Sequence, residues 1–200
     1  MIRAIILASI FSSTLALGAY PDDVRLGDPE YGGTGCPAGT AAVALSPDAK
    51  ALSMLFDQFV VEAGGNTGKT LERKNCSIAV PVHVPQGYSV SIFQIDYRGF
   101  NSIPYGAYSR FNVEYFFAGM AGPTYSKQFN GRLEDQFLIE NSLAASAVTW
   151  SACGQSVILR ANTGMLVRTN GAMQPAYSSI DSIDVTAGLV FNLQWRACTK

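Results

Sequence analysis

The chain holds a single histidine, His83, so any Ser–His–Asp or Cys–His chemistry must run through it. His83 alternates with Val82 and Val84, which predicts a solvated or half-covered position opposite an apolar face. No serine stands in a Gly-x-Ser-x-Gly elbow, so a triad is not expected. Carboxylates are better represented: Asp57, Glu62, Asp96, Glu114, Glu134, Asp135, Glu140, Asp181 and Asp184 could supply the acid–base pair of glycoside hydrolysis. Glu134 and Asp135 point to opposite faces of a strand, and Asp181 and Asp184 differ in parity, so neither pair converges locally. Asp96 shares a face with Arg98, two residues on, and is expected to form an ion pair with it.

Ala63-Gly64-Gly65-Asn66-Thr67-Gly68-Lys69-Thr70 matches a relaxed phosphate-loop pattern. A working loop of that kind opens a helix whose amides hold the phosphates. Here Leu71–Cys76 follows, too short for that helix, so the segment reads as a Gly-rich connection and no nucleotide is expected. The Asp-x-Asx-x-Asx-Gly calcium pattern is absent, and Asp22, Asp23, Asp28 and Glu30 read as a solvated acidic arm. Cys36, Cys76, Cys153 and Cys198 are too widely spaced for a zinc site. The expectation is therefore no catalytic residue, no metal and no cofactor.

The remaining chemistry is aromatic. Residues 97–125 are rich in Gly, Tyr and Phe, and exposed Tyr rings stack on sugars and anchor interfaces. Tyr97, Tyr105 and Tyr108 are the candidate binding residues. Tyr105 and Tyr108 lie in a Pro-Tyr-Gly-Ala-Tyr loop and are the pair expected to be most exposed. Core and edge packing accounts for others of the set.

These residues sit in a chain that reads as exported. Met1-Ile2-Arg3 is a basic n-region, Ala4–Leu17 is apolar, and small residues follow, so residues 1–19 are expected to be a signal peptide. The apolar run falls short of the roughly 20 residues that span a bilayer, so no membrane span is expected. A secreted or periplasmic compartment is oxidising, and four cysteines then read as two disulfides with three possible pairings. Two cysteines lie in each half, which favours Cys36–Cys76 and Cys153–Cys198. Without Arg3 the chain carries 13 basic and 15 acidic side chains, a balance that predicts no nucleic-acid partner.

The elements that must position these groups are strands. Residues 20–39 read as an irregular lead-in, and 40–200 as a single β-sandwich domain. Thr40–Ser46 is a small-residue strand. Leu52, Met54 and Phe56 alternate, and their run could reach Val61 with a slip near Asp57; the apolar residues of Asp48–Glu62 fit a helical period as well as a strand, and strand is the reading preferred. Ile78, Val80, Val82 and Val84 alternate most clearly, with Pro81 on the opposite parity at what must be an edge or a bulge. Pro85-Gln86-Gly87 turns the chain into a strand Tyr88–Tyr97, whose parity changes between Ile92 and Phe93. Phe111, Val113, Tyr115 and Phe117 mark a half-buried strand. Phe129–Ile139, Ala144–Trp150, Ser156–Ala161, Met165–Thr169, Ile180–Thr186 and Leu189–Trp195 are further candidates. About ten strands with turns between them predict an all-β, antiparallel sandwich, jelly-roll-like, with two disulfides.

Several short motifs carry a resemblance. Gly33-Thr34-Gly35-Cys36-Pro37-Ala38-Gly39-Thr40, Ser46-Pro47-Asp48, Phe56-Asp57-Gln58-Phe59 and Arg73-Lys74-Asn75-Cys76 are four of them. Val84-Pro85-Gln86-Gly87, Asp96-Tyr97-Arg98-Gly99, Cys153-Gly154 and Gln194-Trp195-Arg196-Ala197-Cys198 continue the series. In this order they resemble a family of small secreted proteins catalogued as domain of unknown function 4360. The resemblance implies a secreted β-rich domain with two disulfides and no assigned reaction. Together these readings predict a non-enzymatic binding module whose partner is a surface glycan or a cell-surface protein. The alternatives are a carboxylate-based polysaccharide hydrolase and a structural extracellular or envelope protein.

Overall fold

The computed structural model describes residues 21, 23–180 and 188–199. The expected signal peptide lies outside the described residues. The strands are β1 (Arg25–Leu26), β2 (Glu30–Gly32), β3 (Ala41–Leu45), β4 (Ala51–Phe56), β5 (Val60–Ala63), β6 (Leu71–His83) and β7 (Tyr88–Ile103). They continue as β8 (Tyr108–Phe117), β9 (Thr124–Asn130), β10 (Leu133–Ser142), β11 (Val157–Arg168), β12 (Ala176–Ile180) and β13 (Leu189–Ala197). All pairings are antiparallel and form two sheets. In the first sheet β6 carries β1 and β2 on one edge, then come β11, β8 and β9. In the second, β7 is long enough to hold β13 and β12 end to end on one edge and β10 on the other. The β4–β13 and β5–β12 pairings continue that sheet outward, and β3 closes it.

Alternation explains this packing. Each β8 residue of core parity, Phe111, Val113, Tyr115 and Phe117, is at most 5% exposed. The partner parities Val80 and Leu159 in the first sheet, and Ile95, Leu189 and Phe191 in the second, meet them in the middle. Aromatic rings cross the gap: Tyr97 lies 5.0 Å from Phe111, and Tyr115 lies 6.0 Å from Phe191. Burying each such side chain contributes about 1.5–3 kcal/mol. One polar node also joins the sheets, because the Ser109 and Ser178 hydroxyls both donate to Asn101 Oδ1, at 2.7 and 2.6 Å.

Pro81 shows how one residue shapes an edge. Its carbonyl accepts from Gly27 N at 2.8 Å, but it has no N–H to return. The edge partner is interrupted there, with β1 ending at Leu26 and β2 starting at Glu30. The lead-in read as irregular thus contributes two short strands. The parity change in β7 is a bulge: Asn192 pairs with Gln94 and Leu193 with Ile92, leaving Phe93 unpaired in that ladder and 41% exposed.

Other boundaries differ from the sequence reading. Strand β7 runs on to Ile103 because Gly99 accommodates a close neighbour; a Cβ there would collide with the Ser179 carbonyl and the Phe137 ring. Phe129–Ile139 is two strands, β9 and β10, in different sheets, with the corner at Gly131–Arg132. Ser156–Ala161 and Met165–Thr169 merge into β11, whose core parity runs unbroken through Ala161, Thr163 and Met165. Asp48–Glu62 holds β4 and β5, which shift parity between Phe56 and Phe59, with no helix. Ala144–Trp150 contains a 3-10 turn at Ala145–Ala147 and one bridge from Trp150 to Ser91; its alanines lack the bulk to fill a pleated face. Of Ile180–Thr186 only Ile180 is described, as the end of β12.

Candidate binding face

The three candidate tyrosines part company. Tyr97 is fully buried and packs between the sheets, stacked 5.2 Å from Tyr125. Its hydroxyl accepts from Asn141 Nδ2 at 3.4 Å, and burial pushes the phenol well above its ordinary range. A residue so enclosed is a core residue, which corrects its reading as a binding residue; the alternation in β7 that places it inward was legible. Tyr105 is 79% exposed at the β7–β8 corner. The corner closes through an Ala107 N to Pro104 O bond of 3.1 Å, and Gly106 takes a φ of 78° that other residues rarely adopt. Asn170 Nδ2 donates to the Tyr105 carbonyl at 2.7 Å and holds the corner against the β11–β12 connection. Tyr108, half-buried, opens β8 on the parity that faces solvent.

From Tyr108 the outer face of the first sheet runs in rows set by register. Tyr108 pairs with Arg168, which pairs with Leu71. The next row is Arg73, Leu166 and Arg110, and the one after it Asn75, Gly164 and Asn112. Ser77, Asn162 and Glu114 follow. Gly164 leaves a gap in this face, over which the Asn112 amide lies; a Cβ at Gly164 would approach Asn112 Oδ1 to 2.7 Å. The gap belongs to a cavity of about 350 Å³ lined by Arg73, Asn75, Ser77, Asn112 and Asn162 among others. Asn162 Nδ2 donates to Glu114 Oε2 at 3.2 Å, and the Thr34 hydroxyl donates to Asn75 Oδ1 at 3.2 Å. Amides, hydroxyls and guanidinium groups thus present donors and acceptors around a depression, with tyrosines at one end. Such groups have the chemistry to exchange hydrogen bonds with a polar ligand. Sequence reasoning missed the face because its members come from strands far apart in the chain; the signal available was their shared parity.

The disulfides are Cys36–Cys76 and Cys153–Cys198, as favoured. The first, buried, fastens the segment after β2 to β6. The second ties the end of β13 to the loop before β11, and Cys153 is exposed.

The other constellations lead elsewhere. His83 Nδ1 lies 3.2 Å from the Ser156 hydroxyl, and its Nε2 lies 3.8 Å from Asp23 Oδ2. Asp23 is held instead by Arg25, at 3.0 Å, and all three groups are well exposed, so the set lacks the buried, oriented acid of a working triad. Register sets Asp96 opposite Glu140, but Asp96 accepts from Gln94 Nε2 at 2.8 Å and Asn192 Nδ2 at 3.0 Å. The ion pair expected between Asp96 and Arg98 is not formed; those amides take its place, and Arg98 Nε is buried without a partner among the described residues. Ala63–Thr70 holds only a 3-10 turn at Gly65–Thr67 and leads into β6, without the helix a phosphate loop requires. A second cavity, of about 20 Å³, lies beside Ile92, Phe117, Leu143 and Tyr115 and has room for about one water. The Tyr115 phenol is pushed up to about 12 by burial.

An uncharacterized secreted protein of Arthroderma benhamiae is 28% identical over 181 residues, covering 90% of this chain and 74% of its own length. A family model described as Domain of unknown function (DUF4360) matches residues 22–198. Because that match spans nearly the whole described chain, this protein, with its two antiparallel sheets and two cystines, belongs to that family.

Proposed function

We propose that this chain is a secreted, non-enzymatic binding module for a surface glycan, which it takes up on the outer face of its first sheet. The observation that carries this reading is the depression at Gly164, ringed by amide side chains, on the face that ends at Tyr105 and Tyr108. Export is supported by the N-terminal signal pattern, the two cystines and the secreted relative. Binding is supported by the donors: amides satisfy sugar hydroxyls in both directions, and Tyr rings cover pyranose faces at low entropic cost.

A glycan array probed with the oxidised, exported protein tests the reading. Positive spots are expected, weakened about tenfold by Tyr105→Ala with Tyr108→Ala, the order of one lost aromatic contact. Silence across the array, with turnover of any polysaccharide by the same preparation, overturns the reading in favour of a hydrolase.

A further inference from the structure

The near-neutral charge of the chain conceals an uneven distribution. On the solvent-facing parity of β6, β8 and β11 stand Arg73, Arg110, Arg160 and Arg168 against a single carboxylate, Glu114. Glu114 is engaged by Asn162, and Arg110 Nη2 donates to the neutral Gln128 Oε1, at 3.1 Å. Among the described residues none of the four arginines has a carboxylate within ion-pair distance.

Three of them converge. Arg73 and Arg110 flank Leu166 from either side, which sets their Cα atoms about 10 Å apart, two inter-strand spacings. Arg168 lies two residues beyond Leu166, about 7 Å along β11. Tyr108 is its direct cross-strand partner, and the Gly164 depression begins on the other side of the row. Unpaired guanidinium groups on neighbouring strands repel one another mildly in water, and the cost is relieved by an anion that bridges them. A guanidinium fork matches a carboxylate or a sulfate with two parallel bonds, which an amide or a lysine cannot do.

We infer that the ligand of this face is an acidic polysaccharide, whose carboxylate or sulfate groups are held by Arg73, Arg110 and Arg168 while a sugar ring rests on the Tyr108 side. The inference rests on the glycan-binding reading above and narrows it to a chemical class. It also explains the polarity of the depression, where Asn75 and Asn112 offer uncharged groups to the hydroxyls between successive anions.

The test measures affinity of the exported, oxidised chain for polygalacturonate, dextran sulfate and neutral dextran, with anionic phospholipid vesicles and duplex DNA as further arms. Binding to one or both acidic polysaccharides is expected, and the stronger of the two names carboxylate or sulfate as the anion. Arg110→Gln with Arg168→Gln is expected to weaken it about tenfold, as is raising NaCl from about 50 to about 500 mM. Lys50→Gln, in the β3–β4 turn of the other sheet, is expected to change nothing, and an unaltered melting temperature of the double variant shows that the fold survives. Retention of neutral sugars only, with the glutamine variant binding like the parent, overturns this inference while leaving the glycan-binding reading intact. Equal affinity for vesicles or DNA overturns it in favour of unspecific charge attraction. Failure of every glycan, acidic or neutral, removes both.

Discussion

Replacing Asn101 by alanine removes the polar node between the sheets. Asn101, Ser109 and Ser178 are each fully buried, and both hydroxyls donate to the same oxygen, at 2.7 and 2.6 Å. In the alanine variant each hydroxyl loses its acceptor; Ser178 keeps only a contact of 3.4 Å to the Met165 sulfur. Leaving a buried hydroxyl unpaired costs about 1–3 kcal/mol, and the missing amide leaves a small void besides. Against this stands the Asn101 Nδ2, itself buried without a partner among the described residues, whose removal returns about 1 kcal/mol. The net expectation is a loss of about 2–4 kcal/mol, a large share of the stability of a domain held by about 5–15 kcal/mol. Urea unfolding of the oxidised protein measures it as a lower midpoint with an unchanged m-value. The triple variant Asn101→Leu, Ser109→Ala, Ser178→Ala should recover most of the loss, because no donor is then stranded. A cost below about 1 kcal/mol for Asn101→Ala, or a triple variant no better than the single one, would refute the reasoning by showing that the hydroxyls find other acceptors.

Glu72 supplies a pH dependence. Burial raises its pKa, but the Lys69 ammonium at 2.6 Å and the Glu62 backbone N–H at 2.7 Å outweigh that and hold it below 4.5. A depressed folded value means stability that is present above 4.5 and lost as pH falls through the lowered value, so the midpoint difference between parent and Glu72→Gln should shrink on acidification; a difference that stays constant down to acid pH would count against it. The cystines should differ in reactivity: mild reductant followed by alkylation and mass analysis should label Cys153 and Cys198 before Cys36 and Cys76, which are 0% and 1% exposed. Equal labelling would show that local opening, not static exposure, controls access. Loss of the outer bridge removes about 4 kcal/mol in the chain-entropy model, for a loop of 45 residues.

Much of the sandwich was present in the chain as local alternation. The pleat assigns each residue to a face whatever strand lies beside it, so Ile78–Val84, Phe111–Phe117 and Leu189–Trp195 declared their buried sides without reference to partners. The bulge at Phe93 and the interrupted edge at Pro81 were visible for the same reason, since each breaks a rule that acts within one strand. The division of the cysteines between the two halves favoured, without deciding, the pairing that the folded chain forms.

Partnership was not visible. The strand read as ending at Tyr97 runs on through Gly99, where the Ser179 carbonyl and the Phe137 ring, brought up by β12 and β10, leave no room for a side chain. Tyr97 belonged to an aromatic-rich run and was grouped with Tyr105 and Tyr108, yet its core parity and the Tyr125 and Phe111 rings enclose it. Arg73, Arg110 and Arg168 sit in separate segments with unremarkable surroundings, and overall charge averages them away. They meet only because β11 inserts between β6 and β8 in one particular register. A slip by one residue would have sent every arginine to the other face. Local sterics and periodicity act over neighbouring residues and are written in the chain, whereas the proposed binding face is a product of register between distant strands and exists only once the sheets have formed.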